Sequence, residues 1–257
     1  MRVLVTGASA GIGRATALAF AAQGATVYST ARSREGLDSL VAASSGPGKI
    51  VPVVADVTDA TAMSAMATWV LADGGAPDVV IANAGIGLDA LFQNTSDDNL
   101  RTVFDVNVFG VYRTVRPFVE PMVRRGAGRI LFISSVVGKR GTPNYSAYSA
   151  SKFALRGMAD SLRVEIFGTG VTVGIVYPSS TTTEFRERML RAGVAQGSFR
   201  VKRHSAESVA RSILRMSRWT RRELVLSPEG KLMGVVNTIA PWLLDRVLAK
   251  ALRPKSS

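Results

Sequence analysis

Thr6-Gly7-Ala8-Ser9-Ala10-Gly11-Ile12-Gly13 is the stretch that decides the fold of this 257-residue chain. The β-branched apolar run 2–5 before it predicts a buried strand, and the Ala-rich segment 14–22 after it predicts a helix that ends near Gly24. Three glycines therefore lie in the turn between a first strand and a first helix. Because free N–H groups at a helix N-terminus bind phosphate, this turn predicts a site for a dinucleotide pyrophosphate.

Each glycine of the turn has an expected role. Gly7 allows the tight turn, and Gly11 and Gly13 let the phosphate and the sheet approach where a Cβ would otherwise stand. The spacing G-x-x-x-G-x-G differs by one residue from the more familiar G-x-G-x-x-G. A tight strand–helix turn that binds nothing is the alternative, and the flanking strand and helix favour the nucleotide site.

The composition predicts a globular protein without thiol chemistry. Hydrophobic residues make up 47% of the chain, which is ample for a core. The chain has no cysteine, which excludes disulfides, thiol nucleophiles and cysteine-based metal sites. The single histidine, His204, lies in a polar stretch and is expected to be an exposed loop residue, so no metal is expected. A secretory or transit peptide has no room before Val3, which predicts a cytoplasmic protein.

The net charge of +13 is concentrated near the C-terminus. Residues 184–257 carry 16 Lys and Arg against 6 Asp and Glu, so +10 of the total lies in this last part of the chain. Such an excess indicates contact with an anionic partner, namely phospholipid head groups, nucleic acid or an acidic carrier or substrate. The alternative is a solvated basic face. Nucleic acid is the least favoured partner, because no recognisable nucleic-acid module is present.

Strand and helix signals alternate along the chain. Further strands are predicted at 25–31, 49–54, 77–82, 128–135 and 171–177, with a last short candidate at 224–226. This order predicts a single α/β domain, a Rossmann-like, doubly wound parallel sheet with helices on both faces and right-handed crossovers. We expect this domain to cover residues 1–230.

Polar clusters follow four of the predicted strands. Each cluster could simply be a group of polar residues that ends a strand, but ligands of open α/β sheets bind at the carboxyl ends of the strands. Four clusters on one edge, beside a phosphate turn, predict a shared pocket. They are Asp56-Val57-Thr58-Asp59, Asn83-Ala84-Gly85, Ser134-Ser135 and Tyr177-Pro178-Ser179.

The residues after the second strand indicate which dinucleotide is bound. An acidic residue there binds the ribose hydroxyls of NAD, whereas an arginine accommodates the 2′-phosphate of NADP. No carboxylate precedes Glu35, and Arg32 stands where a bidentate phosphate clamp is needed. NADP(H) is therefore preferred over NAD(H) in this interpretation, and a solvated residue leading the next helix is the alternative.

Tyr148 and Lys152 lie one turn apart on a predicted helix that runs to about Phe167. An ammonium near a phenol favours the phenolate and is expected to lower the pKa of Tyr148 from about 10. Such a phenol can protonate a carbonyl oxygen or deprotonate an alcohol, and Ser135 could supply a hydroxyl to the same oxygen. The alternative is a snorkelling surface pair. Tyr145 competes with Tyr148 in principle but has no lysine four residues on.

These motifs together resemble the short-chain dehydrogenases/reductases over the first 185 residues. The resemblance implies that Tyr148 is the general acid/base, that Lys152 lowers its pKa and binds the nicotinamide ribose, and that Ser135 orients the substrate oxygen. It also implies that Asn107, inside the predicted helix 97–125, holds a proton-relay water near Lys152. The matching features are Thr6–Gly13, Asp56, Asn83-Ala84-Gly85, Asn107, Ser135, Tyr148-x-x-x-Lys152 and Pro178 with Thr183.

The resemblance also implies the cofactor contacts. Asp56 and Val57 would contact the adenine, residues 83–85 would line the ribose side, and residues 178–183 would embrace the nicotinamide amide. The residues expected to bind the cofactor are Gly7, Ser9, Gly11, Ile12, Gly13, Arg32, Asp56, Val57, Asn83, Ala84, Gly85, Tyr148, Lys152, Pro178, Thr181 and Thr183.

Two departures from the family pattern have expected consequences. Ser179 stands where the family commonly has glycine, so the local backbone is expected to differ. Pro117 and Pro121 are expected to interrupt the long helix that often forms the dimer face in relatives, which weakens the expectation of a homodimer or homotetramer.

The last part of the chain contains a predicted lid and a predicted extension. Residues 183–203 are basic, show no regular pattern of apolar residues, and are predicted to form a mobile substrate lid. A helix is predicted over 205–219, with Ser205 as its N-cap and Ala206, Val209, Ile213 and Met216 facing inward.

Residues 231–257 form the predicted C-terminal extension, which is apolar, amphipathic and basic. Its segment 232–244 is too short to span a bilayer and contains Pro241. The following apolar residues, with Trp242 at their edge, suit an anionic membrane interface. The alternative is a helix that packs on the domain or on a second subunit. The apolar residues are Leu243, Leu244, Val247, Leu248 and Ala251, opposite Asp245, Arg246, Lys250 and Arg253.

The sequence thus predicts an NADPH-dependent carbonyl reductase, or the reverse alcohol dehydrogenase, for a hydrophobic small molecule. The alternative is a sensor or scaffold that keeps the cofactor site and acts through its basic C-terminal third. Ser135, Tyr148 and Lys152 favour the enzyme, because a sensor does not need the acid.

Overall fold

The computed structural model describes residues 1–182, 185, 187, 189–192 and 204–252. Within these residues, seven strands form one parallel sheet in the order β3-β2-β1-β4-β6-β7-β11, and β5 pairs with β9 and β8 with β10. The predicted doubly wound sheet is confirmed, with each of its strands within two residues of its predicted ends. The strands are β1 (Arg2–Thr6), β2 (Thr26–Ala31), β3 (Lys49–Val54), β4 (Val79–Ala82), β5 (Leu88–Ala90), β6 (Gly128–Ile133), β7 (Val171–Tyr177), β8 (Thr181–Thr182), β9 (Leu190–Ala192), β10 (His204–Ser205) and β11 (Glu223–Val225).

Helices cover both faces of the sheet. On one face α1 packs beside α7, and Phe20 and Ile213 are fully buried there. On the other face α3, α5 and α6 bury Met66, Phe118 and Leu155. The helices are α1 (Gly11–Ala21), α2 (Arg34–Ala42), α3 (Ala60–Gly74), α4 (Asp97–Phe104), α5 (Gly110–Arg125), α6 (Ser146–Glu165), α7 (Ala206–Ser217), α8 (Pro228–Ile239) and α9 (Pro241–Leu252).

The central strand β1 explains why its sequence is apolar at consecutive positions. Val3 and Val5 face the layer of α1 and α7, while Leu4 faces the opposite layer, and all three are fully buried. Each buried side chain of this size contributes about 1.5–3 kcal/mol. The strand order reverses between β1 and β4, so the carboxyl ends of these strands form the crevice in which ligands of this sheet type bind.

The prediction of one continuous helix over 97–125 is wrong. A π-helical turn at Asp105–Phe109 separates α4 from α5. Pro117 and Pro121 do not interrupt α5, which runs through both prolines. Each proline removes one backbone donor, and burial of neighbouring residues such as Phe118 holds the helix against the sheet.

The prediction for His204 is also wrong. His204 is half-buried in β10, where its backbone N–H donates to the carbonyl of Ser180 over 2.9 Å. It pairs with Thr181 at the start of β8, in a two-stranded sheet separate from the main one. Most of the predicted lid at 183–203 lies outside the described residues. Within it, β9 pairs in parallel with β5.

The predicted helix after the lid is confirmed as α7. The Ser205 hydroxyl caps it by accepting a hydrogen bond from the N–H of Ser208 over 3.2 Å. The four side chains predicted to face inward are buried. They are Ala206, Val209, Ile213 and Met216.

The C-terminal segment divides at Pro241 into α8 and α9, as its sequence suggests. Leu248 of α9 is only 8% exposed, and Asp245 forms an ion pair with Arg140. One side of α9 therefore packs on the domain. Among the described helices, none has both the length and the hydropathy that crossing a bilayer requires. The boundary at residue 230 between domain and extension stays a prediction.

Candidate active site

The glycine-rich turn leaves the N-terminus of α1 open. Ala10 is the N-cap residue and forms no side-chain cap hydrogen bond. Gly7 and Gly11 have φ values of 66° and 54°, which favour glycine. The first N–H groups of α1 are therefore available to an anion. Ser9 packs against the start of α2 at Gly36, and Ile12 packs its side chain against the core.

Gly13 is required by the turn itself. A Cβ on Gly13 would lie 2.1 Å from the carbonyl oxygen of Gly7 and 2.6 Å from Nδ2 of Asn83. The close approach expected at this position is thus to the turn and to Asn83. Asn83 Nδ2 donates to the carbonyl of Thr6 over 2.9 Å, and the N–H of Ala84 donates to Thr6 Oγ1 over 3.3 Å. These bonds fix the turn to the end of β4.

Arg32 and Asp56 meet at the carboxyl ends of β2 and β3. Arg32 Nη1 lies 3.8 Å from Asp56 Oδ2, and the Arg32 side chain is 73% exposed. Ser33 caps α2 by accepting from the N–H of Gly36 over 2.9 Å, so Arg32 also directly precedes a helix. Both interpretations of Arg32 are compatible with this geometry. Val57, by contrast, is buried against Gly110.

Ser135, Tyr148 and Lys152 come together where β6 ends and α6 begins. The Ser135 side chain lies near enough to the Tyr148 phenol to act on its pKa. Lys152 Nζ lies 5.7 Å from the centroid of the Tyr148 ring and donates to the carbonyl of Ile133 over 3.1 Å. Ser134 Oγ donates to the carbonyl of Lys152 over 3.0 Å, which ties the helix to the strand. The snorkelling surface pair is therefore excluded for these two residues.

Desolvation sets the proton affinities of this cluster. Burial raises the pKa of Tyr148 to about 12, although the nearby Ser135 side chain acts in the opposite direction on this pKa. Burial lowers the pKa of Lys152 to about 8. The net lowering of the Tyr148 pKa expected from the sequence is not found, because the cost of burying the phenolate dominates. At pH 7 the phenol keeps its proton, which is the form that a general acid needs.

Asn107 lies in the π-helical turn, fully buried beside Lys152. Its Oδ1 accepts from the N–H of Ile86 over 2.8 Å, and its Nδ2 donates to Ile86 O and to Ser151 Oγ. A Cβ on Gly85 would lie 3.1 Å from Asn107 Oδ1 and 3.3 Å from Lys152 Nζ. The side chain of Asn107 is thus occupied in positioning the segment at Gly85 and helix α6.

The segment after β7 folds over the cluster. The carbonyl of Pro178 accepts from the N–H of Val136, directly after Ser135, over 2.9 Å. Thr181 Oγ1 donates to the carbonyl of Ser179 over 3.1 Å. Thr183 lies outside the described residues. The structure therefore brings the described part of this predicted cofactor loop to the end of β6.

Apolar side chains that the sequence did not single out stand beside Tyr148. The ring centroid of Phe185 lies 5.9 Å from that of Tyr148. Phe185 and Met189 pack against Gly87, next to the buried Leu88 of β5. No local pattern signals these residues, because they reach the site through the pairing of β9 with β5.

The chain is similar to known dehydrogenases and reductases. A family model described as short chain dehydrogenase matches residues 1–192. A 3-oxoacyl-[acyl-carrier-protein] reductase of Thermotoga maritima is 38% identical over 187 residues, which are 72% of this chain and 76% of the relative. The dehydrogenase/reductase SDR family member 7B of Bos taurus is 33% identical over 98% of this chain and 81% of its own length.

Two solved structures are similar in fold and sequence. A short-chain dehydrogenase from Streptomyces avermitilis has a TM-score of 0.83 at 32% identity, covering 95% of this chain and 94% of its own. An alcohol dehydrogenase from Thermococcus sibiricus, complexed with 5-hydroxy-NADP, has a TM-score of 0.77 at 26% identity, covering 88% and 95%.

Proposed function

The chain belongs to the short-chain dehydrogenase family and is an oxidoreductase acting on CH–OH or C=O groups. We propose that it uses NADPH, that its substrate is hydrophobic, and that Tyr148 is the general acid/base. The observation that carries this proposal is the approach of the buried Lys152 to the Tyr148 ring, with Ser135 near the phenol. The test is NADPH oxidation with a panel of ketones and aldehydes of increasing chain length. Failure of every carbonyl compound in the panel would contradict it.

The residues of the glycine turn fit a dinucleotide. The open N-terminus of α1 offers N–H groups to a pyrophosphate, and Gly11, the first residue of this helix, has no Cβ to obstruct it. When bound, NADPH supplies the hydride that the carbonyl carbon receives. The relative from Thermococcus sibiricus is complexed with an NADP derivative, which supports the same cofactor class here.

The protein side chains handle the proton. Tyr148 donates its phenolic proton to the substrate oxygen as negative charge develops there, and the Ser135 hydroxyl donates a hydrogen bond to the same oxygen. The ammonium of Lys152 then stabilises the phenolate that remains on Tyr148 until a proton returns from solvent. In the oxidation direction the same groups act in reverse.

The apolar surroundings of Tyr148 support a hydrophobic substrate. Phe185 packs beside the phenol, and Met189 packs with it against Gly87. A substrate whose carbonyl lies at Tyr148 would therefore contact apolar side chains. A sensor or scaffold without catalysis is not favoured, because the acid, its hydroxyl partner and the lysine are held together. The homo-oligomeric state and the cytoplasmic location expected from the sequence stay predictions.

Arg32→Gln is expected to raise the KM for NADPH about tenfold and to change the KM for NADH by no more than about twofold. The reason is that a charge-assisted hydrogen bond to the 2′-phosphate contributes about 1.5–3 kcal/mol, and less when it is exposed. Steady-state kinetics with both cofactors measure this. Arg34→Gln is the matched control, because Arg34 is equally exposed and, like Arg32 with Asp56, lies next to one carboxylate, that of Asp38. Equal KM values for the two cofactors in the wild type would remove this role from Arg32.

For carbonyl reduction, kcat/KM for NADPH is expected to fall as the pH rises through about 8. Burial lowers the pKa of Lys152 to about 8, so its ammonium is present below that pH and lost above it. The Tyr148 phenol, with a pKa raised to about 12, keeps its proton throughout this range. This parameter reports groups of the free enzyme, so a single-proton decline is expected. A profile that stays flat to pH 10 would rule out Lys152 as the titrating group.

A further inference from the structure

Helix α8 turns an apolar stripe away from the protein. Leu232, Val235 and Ile239 follow one another at intervals of three and four residues, so they share one face. They are 65%, 55% and 72% exposed. A surface helix of a globular protein normally buries such a stripe.

The opposite, more polar side of α8 is the side attached to the domain. Arg140 Nη1 donates to Asn237 Oδ1 over 3.0 Å, and Asn237 Nδ2 donates to the carbonyl of Lys139 over 3.4 Å. Gly230 is buried against Val136 and the side chain of Ser227. These contacts fix the rotation of α8 about its own axis. Its apolar stripe is therefore held facing away from the domain.

Helix α9, which packs next to α8, also exposes apolar side chains. Trp242, Leu243 and Val247 are 59%, 50% and 50% exposed, while Leu248 on the other side packs toward a cleft next to Phe153 of α6. Together, the exposed apolar residues of the two helices form what we call the C-terminal apolar face. Its members are Leu232, Val235, Ile239, Trp242, Leu243 and Val247.

The charges around this face are mainly positive. Lys231, Arg246 and Lys250 are exposed on the two helices. Of the two carboxylates there, Asp245 is neutralised by Arg140, which leaves Glu229. Two copies of a basic face repel each other, whereas an anionic surface attracts it. The charge pattern therefore selects an anionic partner over a second copy of this chain.

We propose that the C-terminal apolar face binds the surface of an anionic phospholipid bilayer. Helices α8 and α9 then lie in the plane of the interface, with their apolar side chains at the boundary between head groups and acyl chains. Trp242 has the amphipathic ring that is enriched at this level, and the lysine and arginine side chains meet the phosphates. This interaction does not depend on the oxidoreductase chemistry proposed above.

Flotation of the full-length protein with vesicles tests the proposal. One vesicle preparation contains phosphatidylcholine alone, and the other contains equal parts of phosphatidylcholine and phosphatidylglycerol. We expect the wild type to float with the anionic vesicles, to remain unbound with the neutral ones, and to be released as salt is raised. Leu232→Gln with Ile239→Gln is expected to lower the partition coefficient at least about tenfold, because two exposed apolar side chains lose their burial in lipid.

Val164→Gln with Phe167→Gln is the matched control. Both residues are large, apolar and at least as exposed, but they lie at and just beyond the C-terminal end of α6. This variant is expected to bind anionic vesicles within about twofold of the wild type. Absence of wild-type flotation with anionic vesicles would overturn the proposal. So would a Leu232/Ile239 variant that still binds vesicles but sediments as a smaller species, because the face would then join two copies.

Turnover of a water-soluble ketone without vesicles separates this proposal from the function proposed above. All of these surface variants are expected to keep wild-type turnover in that assay. A wild type without ketone reductase activity that still floats with anionic vesicles would refute only the proposed chemistry.

Discussion

Tyr148→Phe is expected to lower kcat for carbonyl reduction at least about a thousandfold and to leave the Kd for NADPH within about twofold of the wild type. The substitution removes one hydroxyl, whose proton the developing alkoxide would otherwise receive, and general acid catalysis contributes about 10²–10⁴ in rate. The aromatic ring that packs near Lys152 and Phe185 is retained. Single-turnover kinetics and a fluorescence titration with NADPH measure the two quantities separately.

Tyr145→Phe is the matched control for this substitution. Tyr145 is a second phenol at the start of α6, one turn before Tyr148, and has no lysine in the corresponding position. We expect its kcat to stay within about threefold of the wild type. If Tyr148→Phe kept full turnover, or if Tyr145→Phe lost it instead, the assignment of the acid would be wrong.

The strands were predictable because burial on both faces requires uninterrupted apolar residues. The sequence of β1 shows this best, since Val3, Leu4 and Val5 each enter one of two core layers. The open end of α1 was predictable for a related reason. The carbonyl oxygen of Gly7 occupies the space that a Cβ on residue 13 would need, so only glycine fits there.

The interruption of the long helix was not predictable at its true place. Proline is the visible helix breaker in the sequence, yet α5 continues through Pro117 and Pro121. The break is instead a change of hydrogen-bond register at Asp105–Phe109, which depends on the buried contacts of Asn107 with Ile86 and Ser151. Such long-range contacts leave no periodic pattern in the local sequence.

In the candidate site, too, local spacing was predictable from the sequence, whereas burial and long-range pairing were not. The spacing of Tyr148 and Lys152 predicted that they share a helix face, and the structure brings Ser135 to them. The direction of the Tyr148 pKa shift was missed because spacing reveals neighbours but not desolvation. His204 was misplaced for a similar reason, since a two-residue pairing with β8 decides its burial.

Gly13→Ala is expected to lower the free energy of unfolding by about 3 kcal/mol and to weaken NADPH binding at least about a hundredfold. The added Cβ would stand 2.1 Å from the carbonyl oxygen of Gly7, a backbone atom that cannot rotate away. The turn must therefore shift, at the upper end of the usual cost of overpacking, and the first N–H groups of α1 shift with it. Denaturant unfolding and an NADPH titration under native conditions measure the two effects.

Gly157→Ala provides the control with the opposite sign. Gly157 lies inside α6, where a Cβ would meet no atom within 4 Å. Because alanine is favoured over glycine in a helix by about 0.8–1 kcal/mol, this variant is expected to be more stable and to bind NADPH as the wild type does. The pair separates the packing of the turn from the general effect of adding a methyl group. A folded Gly13→Ala protein with wild-type affinity for NADPH would show that the pyrophosphate does not rest on this turn.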